Sequence, residues 1–218
     1  MVVSKRDLDK KRKKNAIIDA AELLFFIKGY DRSTMDDLAK EAQFSKRTLY
    51  VYFNSKEQIY FEIMIRGYRR LIAMLNKGEY PEAKADAKLR QMTRIFYQFS
   101  KEFPDYFTAI FSYENGEMDF QNDIPDESRE TCYALGEVIF NKLTTLIKEG
   151  QETGVFRSEL NVVETAIILW SSMIGIFNTS KTKANYIQNY HSVSPDALVS
   201  SAFELMIRSI RNNNGGIS

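Results

Sequence analysis

The chain has 218 residues, 44% of them hydrophobic, and a formal net charge of +1. That length suits two modest domains or one elongated bundle, and the apolar share is ample for a core. With one histidine and one cysteine there is no intrachain disulfide, no His/Cys metal cluster and only a thin case for an enzyme.

Charge is distributed unevenly. Residues 1–60 hold 13 Lys/Arg against 9 Asp/Glu, and the remainder holds 17 against 20. A mildly basic head on a mildly acidic body suits a polyanion at one end. The basic N-terminus has no apolar run behind it, so no secretory signal is expected. The lone Cys132 suits the reducing cytoplasm and reads as a quiet thiol.

Residues 4–14, SKRDLDKKRKK, carry seven Lys/Arg and two Asp. Two readings stand together: a solvated arm, and a basic arm that touches phosphates. The spacing of Ile17, Ala20, Ala21, Leu24 and Phe25 predicts a helix from Asn15 to Lys28, which Gly29 stops. Tyr30 should pack back on it. Ser33 with Asp36, or Thr34 with Asp37, offers a capping box for the next helix. A hydroxyl at such a position can also meet a phosphate.

From Ser33 to Phe53, STMDDLAKEAQFSKRTLYVYF, the pattern is two short helices joined by a tight turn. Leu38 and Ala42 share one face of the first helix, and Ala39 is small enough for a steep crossing. Phe44 sits at the turn, and Leu49 and Tyr52 point inward from the second helix. Ser45, Lys46, Arg47, Thr48, Tyr50 and Val51 are left outside. Cations, hydroxyls and an aromatic ring suit phosphates and base edges.

The run from Ile17 to Glu57, IIDAAELLFFIKGYDRSTMDDLAKEAQFSKRTLYVYFNSKE, resembles the DNA-binding domain of the tetracycline-repressor family of bacterial regulators, without a gap. Two positions depart from the family pattern. The Gly-Val of the turn is Gln43-Phe44, and the Gly after Lys46 is Arg47. The turn needs a left-handed backbone, which costs a residue with a side chain roughly 1–2 kcal/mol. Burial of Phe44 is expected to recover part of that.

The resemblance implies a recognition helix from about Lys46 to Tyr52. It places Tyr50, Tyr52 and Lys56 on phosphates and Arg47 and Thr48 on base edges. The DNA-binding set is thus Thr34, Ser45, Lys46, Arg47, Thr48, Tyr50, Tyr52 and Lys56. Tyr52 also has the spacing of a core residue.

Ser55 caps a long helix from Lys56 to about Asn76, ended by Lys77-Gly78 and Pro81. Further helices are expected from about Ala83 to Phe103 and from Pro104 to near Asn115-Gly116. A turn at Asn122 to Asp126, containing Pro125, precedes a helix from Glu127 to about Glu152. Asn161 or Glu164 starts another helix, to about Phe177, and Ser194-Pro195-Asp196 caps the last. Thr165 to Ser180 is uncharged but short of the roughly 20 residues a bilayer span needs, so it reads as a buried helix. His191 falls in a polar loop. The expected fold is all-α: a three-helix head at 1–56, a larger helical body at 57–211 and a disordered tail at 212–218.

The last two helices are apolar around more than half their girth, which suits a four-helix interface across a twofold axis. Residues 96–120 hold nine aromatics, dense enough for a pocket or for a core. Resemblance places an effector pocket among residues 84–178, with Phe107, Phe111, Trp170, Met173 and Phe177 as candidate walls. Glu114 and Glu117 hint at a cationic ligand. The implied function is a homodimeric, ligand-responsive repressor of transcription that binds a palindromic operator. Its partners would be double-stranded DNA, a second copy and a small hydrophobic or aromatic effector. No metal, cofactor or membrane is expected. The alternative is a helical protein-interaction or small-molecule-binding module that has lost DNA binding.

Overall fold

The computed structural model describes residues 4–78, 83–113 and 126–212. Among these the chain is helical, without a strand. In order the helices are α1 (Lys5–Lys28), α2 (Met35–Glu41), α3 (Lys46–Tyr52), α4 (Lys56–Lys77) and α5 (Ala85–Glu102). They continue with α6 (Pro104–Phe111), α7 (Glu127–Glu152), α8 (Val162–Thr182), α9 (Ala184–His191) and α10 (Pro195–Ile210). Packing divides the chain elsewhere than at residue 56. One compact unit is Met1–Arg69 with Asp105–Leu135, and the other is Arg70–Pro104 with Gly136–Ser218.

In the first unit α1 is one rod of 24 residues. The basic arm, expected to be loose ahead of a helix at Asn15, forms its first turns. Ser4 caps it, accepting the Asp7 N–H at 3.2 Å. Asp9 pairs with Lys13 at 3.1 Å one turn on. The arm contains no Gly or Pro, and Lys and Arg are good helix formers, so a cap suffices to extend the helix.

Ile17, Ile18, Ala21 and Phe25 bury the other end of α1, and Phe25 meets Tyr30 edge-on at 5.5 Å, the expected fold-back. Glu22 and Asp19 hold Arg66 of α4 at 2.9 and 2.7 Å. Ile59, Phe61, Ile63, Met64 and Ile65 of α4 are all buried, so its middle is enclosed on several sides. A Cβ on Gly67 would lie 2.9 Å from Ile110 Cδ1 and 3.1 Å from Tyr106 Cβ, so the missing side chain lets α6 approach α4.

The core of the second unit gathers Ala85 and Leu89 of α5, Leu143, Leu146 and Ile147 of α7, Ala166 and Leu169 of α8, Ile207 and Ile210 of α10, and Phe156. Phe156 folds back over the end of α7, its N–H donating to the Gly150 carbonyl at 2.9 Å. The chain reverses at Gly154, whose φ of 71° only glycine adopts freely. An isolated bridge then joins Phe156 to Arg211. Asn161 and Ser194 cap α8 and α10 as their spacing suggests, at 3.0 and 3.1 Å.

The structure corrects several expectations. α6 stops at Phe111 rather than near Asn115-Gly116. α8 runs on to Thr182, and α9 occupies what read as a polar loop, with His191 as its last residue. α8 is also not a buried helix: Val163, Ile167, Ile168 and Trp170 stand exposed on it. By length and composition alone it could cross a membrane, yet the burial of Thr165, Ala166, Leu169, Met173 and Phe177 shows one face docked in the core. Cys132 is buried. Pro81, Glu114, Gly116, Glu117, Phe120, the turn from Asn122 to Pro125 and the tail beyond Asn212 lie outside the described residues.

Candidate nucleic-acid interface

Three short structures build the head. Thr34 is the N-cap of α2 and forms a full capping box with Asp37: its Oγ1 accepts the Asp37 N–H at 3.1 Å, and Asp37 accepts the Thr34 N–H at 2.9 Å. Asp37 also takes the Lys28 ammonium at 2.7 Å, tying the end of α1 to the start of α2. Ser33 is turned inward and donates to the Gly29 carbonyl at 2.7 Å. The Lys28 ammonium, then the Thr34 donors, hold the Asp37 carboxyl well below the usual carboxylate range.

A group whose folded pKa is depressed contributes stability that is present above its unfolded pKa, about 4, and lost as pH falls further. Melting followed by circular dichroism should therefore show Asp37→Asn flattening the acid limb below about pH 4. Thr34→Ala should cost about 1 kcal/mol at neutral pH.

α2 ends in a Schellman turn. The Phe44 N–H donates to the Ala39 carbonyl at 3.0 Å and the Gln43 N–H to that of Lys40 at 3.2 Å. Gln43 takes the left-handed position, φ 56°, that glycine usually fills. Phe44 beside it is only half-buried, so burial offsets part of that cost. Ser45 then caps α3, accepting the Thr48 N–H at 3.0 Å while its hydroxyl meets that of Thr48 at 2.8 Å.

Leu49 is fully buried and sets the inner side of α3. Ser45, Lys46, Arg47, Tyr50 and Val51 are exposed; Thr48 and Tyr52 are half-buried. An open cleft of about 390 Å³ is lined by Phe44, Ser45, Arg47, Thr48, Val51 and Tyr52, with Lys13 of α1 on its other side. Lys13 was legible only as one cation in a run. The continuous rod of α1 is what places it beside α3.

The cations differ in how free they are. Lys46 pairs with Asp36 at 2.9 Å, an exposed contact that raises its pKa and is cheaply exchanged for a phosphate. Arg47 has no hydrogen bond or ion pair among the described residues. Lys56 is engaged elsewhere. Its ammonium donates to the carbonyls of Tyr30 and Ser33 at 2.9 and 3.0 Å and lies 4.0 Å from the Tyr30 ring centroid. Two of its three donors thus strap the loop between α1 and α2, leaving one for a phosphate. Tyr30 is backed by Tyr60 at 4.3 Å, whose phenol burial pushes up to about 12.

The effector candidates fall on both units. Phe107 is buried and Phe111 half-buried in the first, with centroids 4.8 Å apart. Met173 and Phe177 are buried in the second, where Phe177 packs on Tyr97 at 5.1 Å and Phe203 at 5.7 Å. Trp170 is 40% exposed and points away from that core, in line with Val163 and Ile167. No cluster of metal-ligating side chains occurs among the described residues.

A model of the bacterial regulatory proteins of the tetR family matches residues 17–63. The biofilm operon icaADBC negative transcriptional regulator IcaR of Staphylococcus aureus (strain Newman) is 27% identical over 129 residues, 58% of this chain and 67% of its own. The fatty acid metabolism regulator protein of Bacillus subtilis (strain 168) is 25% identical over 206 residues, 93% of this chain and 98% of its own. The structure of FadR from Bacillus subtilis in complex with stearoyl-CoA superposes with a TM-score of 0.65 at 21% identity. That match covers 90% of this chain and 98% of the other and is a likeness of fold.

Proposed function

The chain belongs to the tetR family of bacterial regulatory proteins, and from that premise we propose that it is a homodimeric, effector-responsive repressor acting in the cytoplasm on a palindromic operator. The observation that carries this reading is the outer face of α3, where Arg47 stands without a protein partner among the described residues. We assign DNA contact to residues 1–56: Arg47 and Thr48 at base edges, and Thr34, Ser45, Lys46, Tyr50, Tyr52 and the last donor of Lys56 at phosphates. The helical arm of α1 adds cations beside them.

Residues 57–211 carry dimerisation and the effector. On α8, Val163, Ile167, Trp170 and Ile174 repeat at spacings of four, three and four, one line of a helix. Val163 is 52% exposed and Ile167 46%. On α10, Leu198, Ala202 and Leu205 form a like line, with Leu205 66% exposed. α8 and α10 pack on each other. Two apolar lines on neighbouring helices suit a four-helix contact across a twofold axis. Trp170 is thereby reassigned from effector wall to dimer face.

Ile167→Lys with Leu205→Lys should halve the mass measured by light scattering and leave helicity unchanged. An unchanged mass would count against this face. Two heads set about 34–36 Å apart would meet successive major grooves.

The effector is a small hydrophobic or aromatic molecule; the apolar part of this reading is supported by FadR from Bacillus subtilis, which is seen in complex with stearoyl-CoA, a molecule with a long acyl chain and a charged head. Phe107 and Phe111 in the first unit, and Met173 and Phe177 in the second, are two separate sets to test against it. It acts by binding one arrangement of the heads better than another. The test of the whole reading is a gel shift on the promoter DNA flanking the protein's own gene. Binding should weaken steeply as salt rises, because phosphate contacts release counterions. A folded dimer that shifts no such DNA at low salt would overturn it.

A further inference from the structure

At about 100° per residue, the line on α3 opposite buried Leu49 falls between Arg47 and Val51. Each lies about 20° from that line, on either side. Lys46 and Tyr50 flank it on one edge, Thr48 and Tyr52 on the other. The two side chains that project furthest from the head are thus one cation and one small branched hydrocarbon. Val51 is 70% exposed and lines the same cleft as Arg47.

Packing within the head gives no reason for a valine there. A β-branched residue is a poorer helix former than Ala, Lys or Arg, and its methyls face water. The cations around it rule out an oily partner: Arg47 stands one turn before it, Lys46 lies at the flank and Lys13 lies across the cleft. A polyanion whose groove floor carries isolated methyl groups satisfies both demands. In the major groove of duplex DNA that group is the 5-methyl of thymine.

We propose that Val51 reads a thymine 5-methyl group one or two base pairs from the guanine contacted by Arg47. The inference rests on the reading of this chain as an operator-binding repressor and adds a specificity-determining residue to it. One helical turn advances about 5.4 Å and one base pair about 3.4 Å, which sets that offset.

The test needs no prior operator. Duplexes are selected from a random library with the full-length protein, and each thymine of the recovered site is replaced singly by deoxyuridine, which lacks only the methyl. One position per half-site should lower wild-type affinity about fourfold, the worth of one buried methyl. Val51→Ala changes both half-sites of the dimer, so it should lose about 16-fold on the thymine duplex and nothing on a duplex carrying deoxyuridine at that position in both half-sites. Circular dichroism checks that the variant folds as the parent does.

A recovered site indifferent to every deoxyuridine overturns the role of Val51 and leaves DNA binding standing. So does a methyl effect that persists unchanged in Val51→Ala. Failure of the folded protein to recover any sequence would instead overturn the repressor reading, and this inference with it.

Discussion

Alanine at Arg47 is expected to lower operator affinity by roughly 30-fold to 10⁴-fold. A guanidinium bound bidentately to guanine O6 and N7 is worth about 1–3 kcal/mol, and a twofold dimer makes the contact twice. Stability should hardly change, because Arg47 is exposed and makes no hydrogen bond or ion pair among the described residues. The loss should be selective: discrimination at one base per half-site disappears and the salt dependence stays almost as steep. Lys46→Ala provides the contrast. Its ammonium already trades between Asp36 and solvent. Removing it should weaken binding evenly across sequences and make the salt dependence shallower by about one unit for each phosphate no longer neutralised. Titrations of both variants on cognate and scrambled duplexes at several salt concentrations separate the two roles. A change of less than threefold for Arg47→Ala would remove it from the base-reading set.

The second large effect concerns stability, in the other unit. A Cβ added at Gly150 would sit 2.0 Å from Phe156 Cδ2 and 2.4 Å from Cε2. The ring cannot step aside. Its own backbone is held to the Gly150 carbonyl at 2.9 Å, and the residues on either side are held by Ile210 and Asn212 at 2.9 and 3.0 Å. Phe156 is also wholly enclosed by the α7, α8 and α10 core. Overpacking of this kind costs typically 1–3 kcal/mol and occasionally more, so Gly150→Ala should unfold at clearly lower denaturant. Phe156→Ala, which empties the space instead, should cost about 3–5 kcal/mol. The double variant should cost less than the two summed, because the new methyl occupies part of the vacated volume. Additive losses would show that ring and glycine do not share this contact.

What could be read before the fold was known depended on whether the pattern had a direction. Helix ends were legible because their signals are local: Gly29, the Thr34–Asp37 box, Asn161, and Ser194 followed by Pro195 each act within one turn. The turn at Gln43 was legible for the same reason. Which side of α8 stands exposed was not, because a helix apolar on most sides gives no sign of which side faces the core. α9 was missed because its eight residues bury nothing, so no apolar period marks it. The inward turn of Lys56 was invisible because the carbonyls it serves lie 26 and 23 residues earlier. The arm is exposed over residues 4–13, as a solvated run should be, but its helical course was not foreseen, because like charges in a row repel. A single cap at Ser4 and the absence of any helix breaker outweighed that repulsion.

The unbroken course of α1 from Lys5 into the core at Ile17 has a consequence for how this head could change over time. On a floppy tether, an added or deleted residue alters reach and nothing else. On a rod it also swings everything beyond it by about 100° around the axis. One residue inserted between Lys13 and Ile17 would carry Lys13 off the cleft and present another part of the arm in its place. Length and heading are coupled here, and only near-whole turns can be gained or shed without re-aiming the charge.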